Sequence, residues 1–203
     1  MTEVTIPMQI VFIVLAYLLG SIPFGLILTR LAGLGDIRQI GSGNIGATNV
    51  LRTGNRGLAA LTLILDAVKG AAAILLVRLI YPNADPTLAY AVAMAVIIGH
   101  IFPLWLGFKG GKGVATVLGI WLALCWPIGV IGALVWVLML LAFRYSSLSA
   151  LVAVIISVPL AWVFDLGFAG VYLALILTAL IWWRHRDNIV RLLKGTESRV
   201  GKK

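Results

Sequence analysis

From Val114 to Phe143 the chain runs for 30 residues without a charged side chain. Few environments accept such a segment. About 20 consecutive apolar residues are enough for a helix to cross the hydrocarbon core of a bilayer. Lipid offers free peptide groups no partner, so a segment that crosses must satisfy its backbone internally, as a helix does. Other apolar blocks of similar length recur along the chain. Apolar residues make up 62% of it and charged residues 11%, whereas a soluble domain carries about 25% charged residues. The expected fold class is therefore all-α, a polytopic integral membrane protein, with residues 1–203 forming a single membrane-embedded domain.

The first span is expected over Pro7–Leu28, with a kink at Ile22-Pro23, because proline removes a backbone donor and crowds the preceding turn. The second covers Leu58–Ile80 and carries Asp66 and Lys69, three apart and so on neighbouring helix faces. The third covers Thr87–Leu106. The uncharged run is longer than one tilted helix needs, and Trp126-Pro127 lies in its middle. Proline favours a first helical turn, so two spans are expected, Val114–Leu124 and Pro127–Phe143, with one long kinked helix as the alternative. Leu148–Phe164 and Phe168–Trp183 complete a set of seven transmembrane helices. The N-terminal block has neither a basic leader nor a small-residue cleavage site before Gly20, and reads as a span, not a removed signal.

Sixteen lysines and arginines stand against seven acidic residues. In a membrane protein such an excess marks cytoplasmic loops and contacts with anionic headgroups. With seven spans, one side holds Arg30, Arg38, Arg52, Arg56, Lys109, Lys112, Arg144, Arg184, Arg186, Arg191, Lys194, Arg199, Lys202 and Lys203. The other side holds Glu3, Asp85 and Asp165. This asymmetry sets the N-terminus outside and the C-terminus in the cytoplasm, and it favours splitting the uncharged run. No basic stripe lies beside stacking aromatics, so no nucleic-acid partner is expected. His100 and His185 lack a second ligand at metal spacing; Cys125, the single cysteine, reads as a core residue. Neither metal nor cofactor is expected.

Three polar constellations fall on the basic side. The first is GSGNIGATNVLR, Gly41 to Arg52. Glycine admits positive φ and close approach to a ligand, and successive amides in such a turn can cup an anion. Gly43 belongs to this backbone; Ser42, Asn44, Thr48 and Asn49 add hydroxyl and amide donors, and Arg52 adds a fork suited to phosphate. The second is FKGGKGVAT, Phe108 to Thr116. It lacks the four residues that a Walker A loop places between its first glycine and its Gly-Lys pair. Its Gly110, Gly111 and Gly113 are nonetheless expected to expose amides, with Lys109 nearby and Lys112 at the start of a helix, where anions are favoured. The third, Trp183 to Glu197, offers Arg184, His185, Arg186, Asn188 and Arg191 at the end of the last span. Each constellation alone has a plainer reading, as a capped turn, a positive anchor or a basic stop. Together on one face they suit phosphate-bearing molecules, one of them with a lipid tail. Asp66 and Lys69 are ionisable residues inside a span that can pair with each other or anchor a loop, and His100 is expected to orient the FKGGKG turn.

These motifs resemble those of the bacterial glycerol-3-phosphate acyltransferases that use acyl phosphate, over nearly the whole chain. The first family motif resembles Ser42-Gly43-Asn44-Ile45-Gly46-Ala47-Thr48-Asn49 followed by Arg52. The second resembles His100-Ile101-Phe102-Pro103 running to Phe108-Lys109-Gly110-Gly111-Lys112-Gly113-Val114-Ala115-Thr116. The third resembles Arg184-His185-Arg186-Asp187-Asn188-Ile189, then Arg191-Leu192 and Glu197, with Asp187 where some members carry glutamate.

The resemblance implies an acyltransferase of the bacterial cytoplasmic (inner) membrane with a cytoplasmic active site. Its reaction would move an acyl group from acyl phosphate to the 1-hydroxyl of glycerol 3-phosphate, giving lysophosphatidate and inorganic phosphate, the first step of phospholipid synthesis. It implies catalytic roles for Ser42, Asn44, Lys112, His185 and Asn188. Substrate and phosphate binding would fall to Gly43, Thr48, Asn49, Arg52, Lys109, Gly110, Gly111, Gly113, Arg184 and Arg191, with support from Asp66, Lys69, His100 and Glu197. The partners implied are glycerol 3-phosphate, acyl phosphate, membrane lipid and an enzyme that produces the acyl phosphate. The competing class is an anion permease, which would place broken helices and polar groups at the membrane midplane; the polar motifs lie at one face instead.

Overall fold

The computed structural model describes residues 4–201; Glu3, Lys202 and Lys203 of the charge count lie outside the described residues. Among those described there is no β-strand, and the chain divides into two compact units, Met1–Leu124 and Cys125–Lys203.

In the first unit, α1 (Ile6–Gly20) and α2 (Phe24–Leu31) replace the single expected first span and meet at a bend of 41°. The cause is local. Pro23 has no N–H to give, and it disfavours helical geometry in the preceding Ile22. A short helix α3 (Ala47–Val50) lies in the polar segment, and α4 (Arg56–Ile80) follows, capped by the Asn55 side chain accepting from Leu58 N. The third span is α5 (Pro86–Ile101), stopped ahead of Pro103 and extended by a 3₁₀ turn over Leu104–Leu106. Last comes α6 (Val114–Leu124).

Helix α4 packs against both α5 and α6, and α1 against α5. In lipid there is no hydrophobic drive to bring helices together, so close contact depends on small residues. Gly70 and Gly119 supply it for α4 and α6: a Cβ at Gly119 would fall 1.8 Å from Ala67 O, and one at Gly70 would fall 2.4 Å from Thr116 O. Across α1 and α5, Tyr17 Oη donates to Phe102 O at 2.9 Å. At the far end of α4, the Arg78 guanidinium donates to Ala123 O and Leu124 O, the last carbonyls of α6.

The second unit holds α7 (Trp126–Phe143), α8 (Ser146–Ile155), α9 (Ser157–Val163), α10 (Gly167–Arg184) and α11 (Arg186–Leu193). The uncharged run therefore contains two helices, as expected, with Pro127 in the first turn of α7. Cys125 is not a core residue: it is half-buried, in the extended residue that opens α7. The span expected over Leu148–Phe164 is interrupted at Ile156 because Pro159 cannot donate to the carbonyl of Ile155. Helix α8 packs on α7, α10 and α11.

Among the described residues five helical stretches are long and apolar enough to cross a membrane, and the bent α1–α2 pair makes a sixth if counted as one span. Helix α6 is apolar but shorter. Large apolar side chains face outward, among them Leu138 at 64% and Leu141 at 73% exposure on α7. In water such a surface would aggregate; in a bilayer it is the solvated face. The chain is a multi-pass membrane protein.

Candidate active site

The GSGNIG turn stands on a small apolar core of its own. Ile37, Ile45 and Val50 are buried together with Leu26 of α2 and Ala59 of α4, and Leu51, Leu58 and Leu106 pack around them. Above this core one side chain organises the loop. Asn49 is 2% exposed. Its amide nitrogen donates to Ile37 O at 2.7 Å, Asn44 O at 2.8 Å and Ile40 O at 3.2 Å. Its Oδ1 accepts from Ser42 N at 3.2 Å and lies 3.4 Å from both Ser42 Oγ and Arg52 Nη1. Asn49, expected to donate to a ligand, is spent on the protein's own carbonyls. Gly41 completes the turn at φ +56, where a Cβ would strike Arg52 and Asn49.

This arrangement leaves Ser42, Gly43, Thr48 and Arg52 on the exposed face, with Asn44 partly buried and its Oδ1 accepting from Ile45 N. Not every cation in the segment is available for a ligand. Arg38 grips the Asp36 carboxylate and Arg30 reaches the same group at 2.9 Å. The Arg38 hydrogen bonds, joined by Arg30, hold the Asp36 carboxyl well below the usual carboxylate range despite some desolvation.

The FKGGKG turn also differs from expectation. Its amides point inward: Phe108 N donates to Pro103 O, Lys109 N to Leu106 O, Gly110 N to Ile101 O and Gly111 N to His100 O, at 3.0 to 3.2 Å. Gly110 and Gly111 therefore do not expose amides to a ligand. They are glycine because the turn presses on α5: a Cβ at Gly111 would fall 2.2 Å from His100 Nε2, and one at Gly110 would fall 2.2 Å from His100 O. The donors left for an anion sit one step later. Gly113, at φ +87, turns the chain into α6, and its carbonyl receives the first helical bond, from Val117 N. The leading amides of α6 have no partner within the helix, and Lys112 stands partly buried at that end. A helix N-terminus beside a lysine is a favourable anion seat. Lys109 is exposed.

Behind this turn lies a buried charged group. Lys69 Nζ is 2.8 Å from Asp66 Oδ1 and donates to Ile22 O at 2.9 Å. His100 Nδ1 is 3.7 Å from the same carboxylate oxygen. Asp66 and Lys69 pair, as one of the two sequence readings had it, and His100 backs the turn.

In the second unit His185 joins α10 to α11 and is 3% exposed. Its Nδ1 lies 2.8 Å from Ile181 O, and a carbonyl only accepts, so Nδ1 carries the hydrogen. In the neutral ring Nε2 is then the nitrogen without a hydrogen. Asn188 and Arg191 of α11 converge on Glu197: Asn188 Nδ2 donates to Oε1 at 2.7 Å and Arg191 Nε to Oε2 at 2.7 Å. Ser147 Oγ of α8 adds a third bond at 2.8 Å. Burial pushes the Glu197 carboxyl up, but these bonds outweigh it and hold the group below its ordinary range. Beyond it the tail returns along the α7–α8 turn, with Val200 N donating to Arg144 O at 2.7 Å and Arg199 stacked on Tyr145. Arg184 and Arg186 both lie over the Trp183 ring, about 5.5 Å from its centre.

Comparison with known proteins gives this geometry a context. The family model described as glycerol-3-phosphate acyltransferase matches residues 10–195. The chain belongs to the glycerol-3-phosphate acyltransferase family. A relative of that name from Caulobacter vibrioides (strain NA1000 / CB15N) is 54% identical over 191 residues, covering 94% of this chain and 87% of its own. Another, from Ruegeria pomeroyi (strain ATCC 700808 / DSM 15171 / DSS-3), is 56% identical over 196 residues, covering 97% and 95%. Among solved structures, the crystal structure of PlsY (YgiH), an integral membrane glycerol 3-phosphate acyltransferase in its glycerol 3-phosphate form, aligns with a TM-score of 0.90 at 38% identity. That alignment covers 95% of this chain and 96% of the other. The lysophosphatidic acid form of the same protein aligns at 0.88 and 37% identity, over 95% of each.

As a member of this acyltransferase family the chain is an enzyme, and its motif residues occupy two kinds of place. Ser42, Gly43, Thr48, Arg52 and Lys109 are at the surface of their turns. Asn49, Gly110, Gly111 and Glu197 build those turns from within. Sequence analysis does not single out Arg78, although an arginine near the end of an apolar span is its signal.

Proposed function

We propose that this acyltransferase moves an acyl group from acyl phosphate to the 1-hydroxyl of glycerol 3-phosphate, releasing lysophosphatidate and inorganic phosphate, as the first step of phospholipid synthesis. Residues 1–203 act as one acyltransferase domain with seven transmembrane helices, the N-terminus outside and the C-terminus and motifs on the cytoplasmic side of a bacterial inner membrane. The single observation that carries the reading is the pair of basic turns in the first unit. One presents Ser42, Thr48 and Arg52 above a rigid apolar base, and the other presents Lys112 at the N-terminus of α6. The substrates each carry a phosphate, and each turn offers a cation beside oriented donors.

The donor is already an activated mixed anhydride, so no covalent enzyme intermediate is needed. The hydroxyl oxygen bonds to the acyl carbon, the bond from that carbon to the phosphate oxygen breaks, and the hydroxyl proton goes to a base. That base is a substrate phosphate or His185 through Nε2. Orientation and charge stabilisation supply the rate. In this reading Lys112 and the α6 amides hold the donor phosphate, and Arg52 serves glycerol 3-phosphate. Ser42 and Asn44 orient the reacting groups. Lys109 adds positive charge toward the donor phosphate. An enzyme that makes acyl phosphate must supply the first substrate.

The test is direct. Purified protein in detergent or lipid is given acyl phosphate and glycerol 3-phosphate, and phosphate and lysophosphatidate are followed together. Equal amounts of both products are expected, falling at least 100-fold in Lys112→Ala, about the contribution of one positioned charge to a transition state. Folded wild-type protein that makes neither product overturns the assignment.

A further inference from the structure

Most of the first unit is held by apolar packing, which is non-directional. The exception at its centre is the Asp66–Lys69 pair, both side chains at 6% exposure or less. Taking two charges out of water is costly, and an apolar pair of the same volume is often equally stable. The pair is therefore poorly explained as a stabiliser, and its connections suggest another use.

Lys69 Nζ reaches Ile22 O, at the break between α1 and α2, and lies 5.6 Å from the centre of the Phe24 ring. One residue later, Gly25 of α2 is seated on the first motif: a Cβ there would fall 2.1 Å from Ile45 O. In the other direction, Asp66 faces His100, and the His100 ring and carbonyl seat Gly111 of the second motif. One buried ion pair thus lies between the support of the GSGNIG turn and the support of the FKGGKG turn, tied to the first by the Lys69 hydrogen bond to Ile22 O and reaching the second through the 3.7 Å approach of Asp66 to His100.

We infer that Asp66 and Lys69 are positioning residues that set the register between the two turns, so that the groups they hold meet in a reactive geometry. This rests on the acyl-transfer reading above, in which each turn holds a phosphate. Loss of the pair leaves each turn intact, and with it the binding of each substrate. What is lost is alignment, and misplacement by about 1 Å costs of the order of 100-fold in rate. The loss falls on kcat, not on KM.

The experiment compares wild type with Asp66→Leu/Lys69→Met, an apolar pair without buried charge, by size exclusion, thermal unfolding and steady-state kinetics in both substrates. The expected result is a folded variant whose melting temperature is close to wild type, whose KM values move less than threefold, and whose kcat falls 10- to 100-fold. A folded variant with wild-type kcat, or one in which only KM rises, overturns the inference. If that variant does not fold, Asp66→Asn/Lys69→Met, which also removes the ion pair and the bond to Ile22 O, is read by the same criteria. Inactive wild-type protein would instead overturn the acyl-transfer reading itself.

Discussion

Two regions of this chain solve the same problem with different chemistry. The GSGNIG turn and the C-terminal segment each gather several donors or acceptors around one buried polar side chain. In the first it is Asn49, a neutral amide whose three bonds from nitrogen go to backbone carbonyls no more than 12 residues away. In the second it is Glu197, a carboxylate that takes side-chain donors from Ser147, 50 residues away, and from Asn188 and Arg191. The amide shapes a local loop. The carboxylate ties a tail to two helices. The first device should be indifferent to pH and severe in its failure, because it leaves three carbonyls without their donor; the second should be graded and titratable.

The largest effect is expected from Asn49→Ala. Three carbonyls, that of Ile37 buried, lose their donor, each at a cost of about 1 kcal/mol. The apparent melting temperature in detergent should fall by roughly 10 °C, and Asn49→Asp, of the same shape but without the donor, should do nearly as badly. A change of under 2 °C for both would show that the turn does not depend on this amide.

Glu197→Ala should cost less, about 2 kcal/mol, because its partners can turn partly to water. The contrast sharpens with acid. The folded Glu197 carboxyl is held below its ordinary value, so its contribution is complete above the unfolded value of about 4.3 and is lost as pH falls through the folded value. Wild type should therefore lose part of its margin over Glu197→Gln between pH 5 and the acid limit of folding. Melting curves for the two that stay parallel through this window would remove Glu197 as the titrating clasp. The smallest effect, about 0.5 kcal/mol, is expected from Arg199→Ala, which removes an exposed stacking contact with Tyr145.

Much of the architecture could be read in the sequence because lipid makes hydropathy and proline nearly sufficient. The bend before α2, the start of α7 and the separate α6 all follow from Pro23, Pro127 and the lengths of the uncharged runs. The motifs were equally visible. What their residues do was less so, because an amide donor looks the same in sequence whether it faces a ligand or the protein's own backbone. Asn49, Gly110 and Gly111 were read as ligand-facing and turned out to face inward. The signal that separates the two cases is contact over distance, such as Gly111 against His100, and no local pattern contains it. The interruption at Ile156 escapes the hydropathy pattern, although Pro159 announces it.

Helix α6 has 11 residues, a rise of roughly 16 Å against a hydrocarbon thickness of about 30 Å. Its last carbonyls thus end far from at least one aqueous surface, and Arg78 is the group that answers two of them. Ordinary membrane logic inverts at this position. Leucine at 78 would raise the hydropathy of α4, yet it would take away the donors that the two carbonyls at the end of α6 now have. The substitution that makes this segment look most like a membrane helix is thus one that unties it from its neighbour.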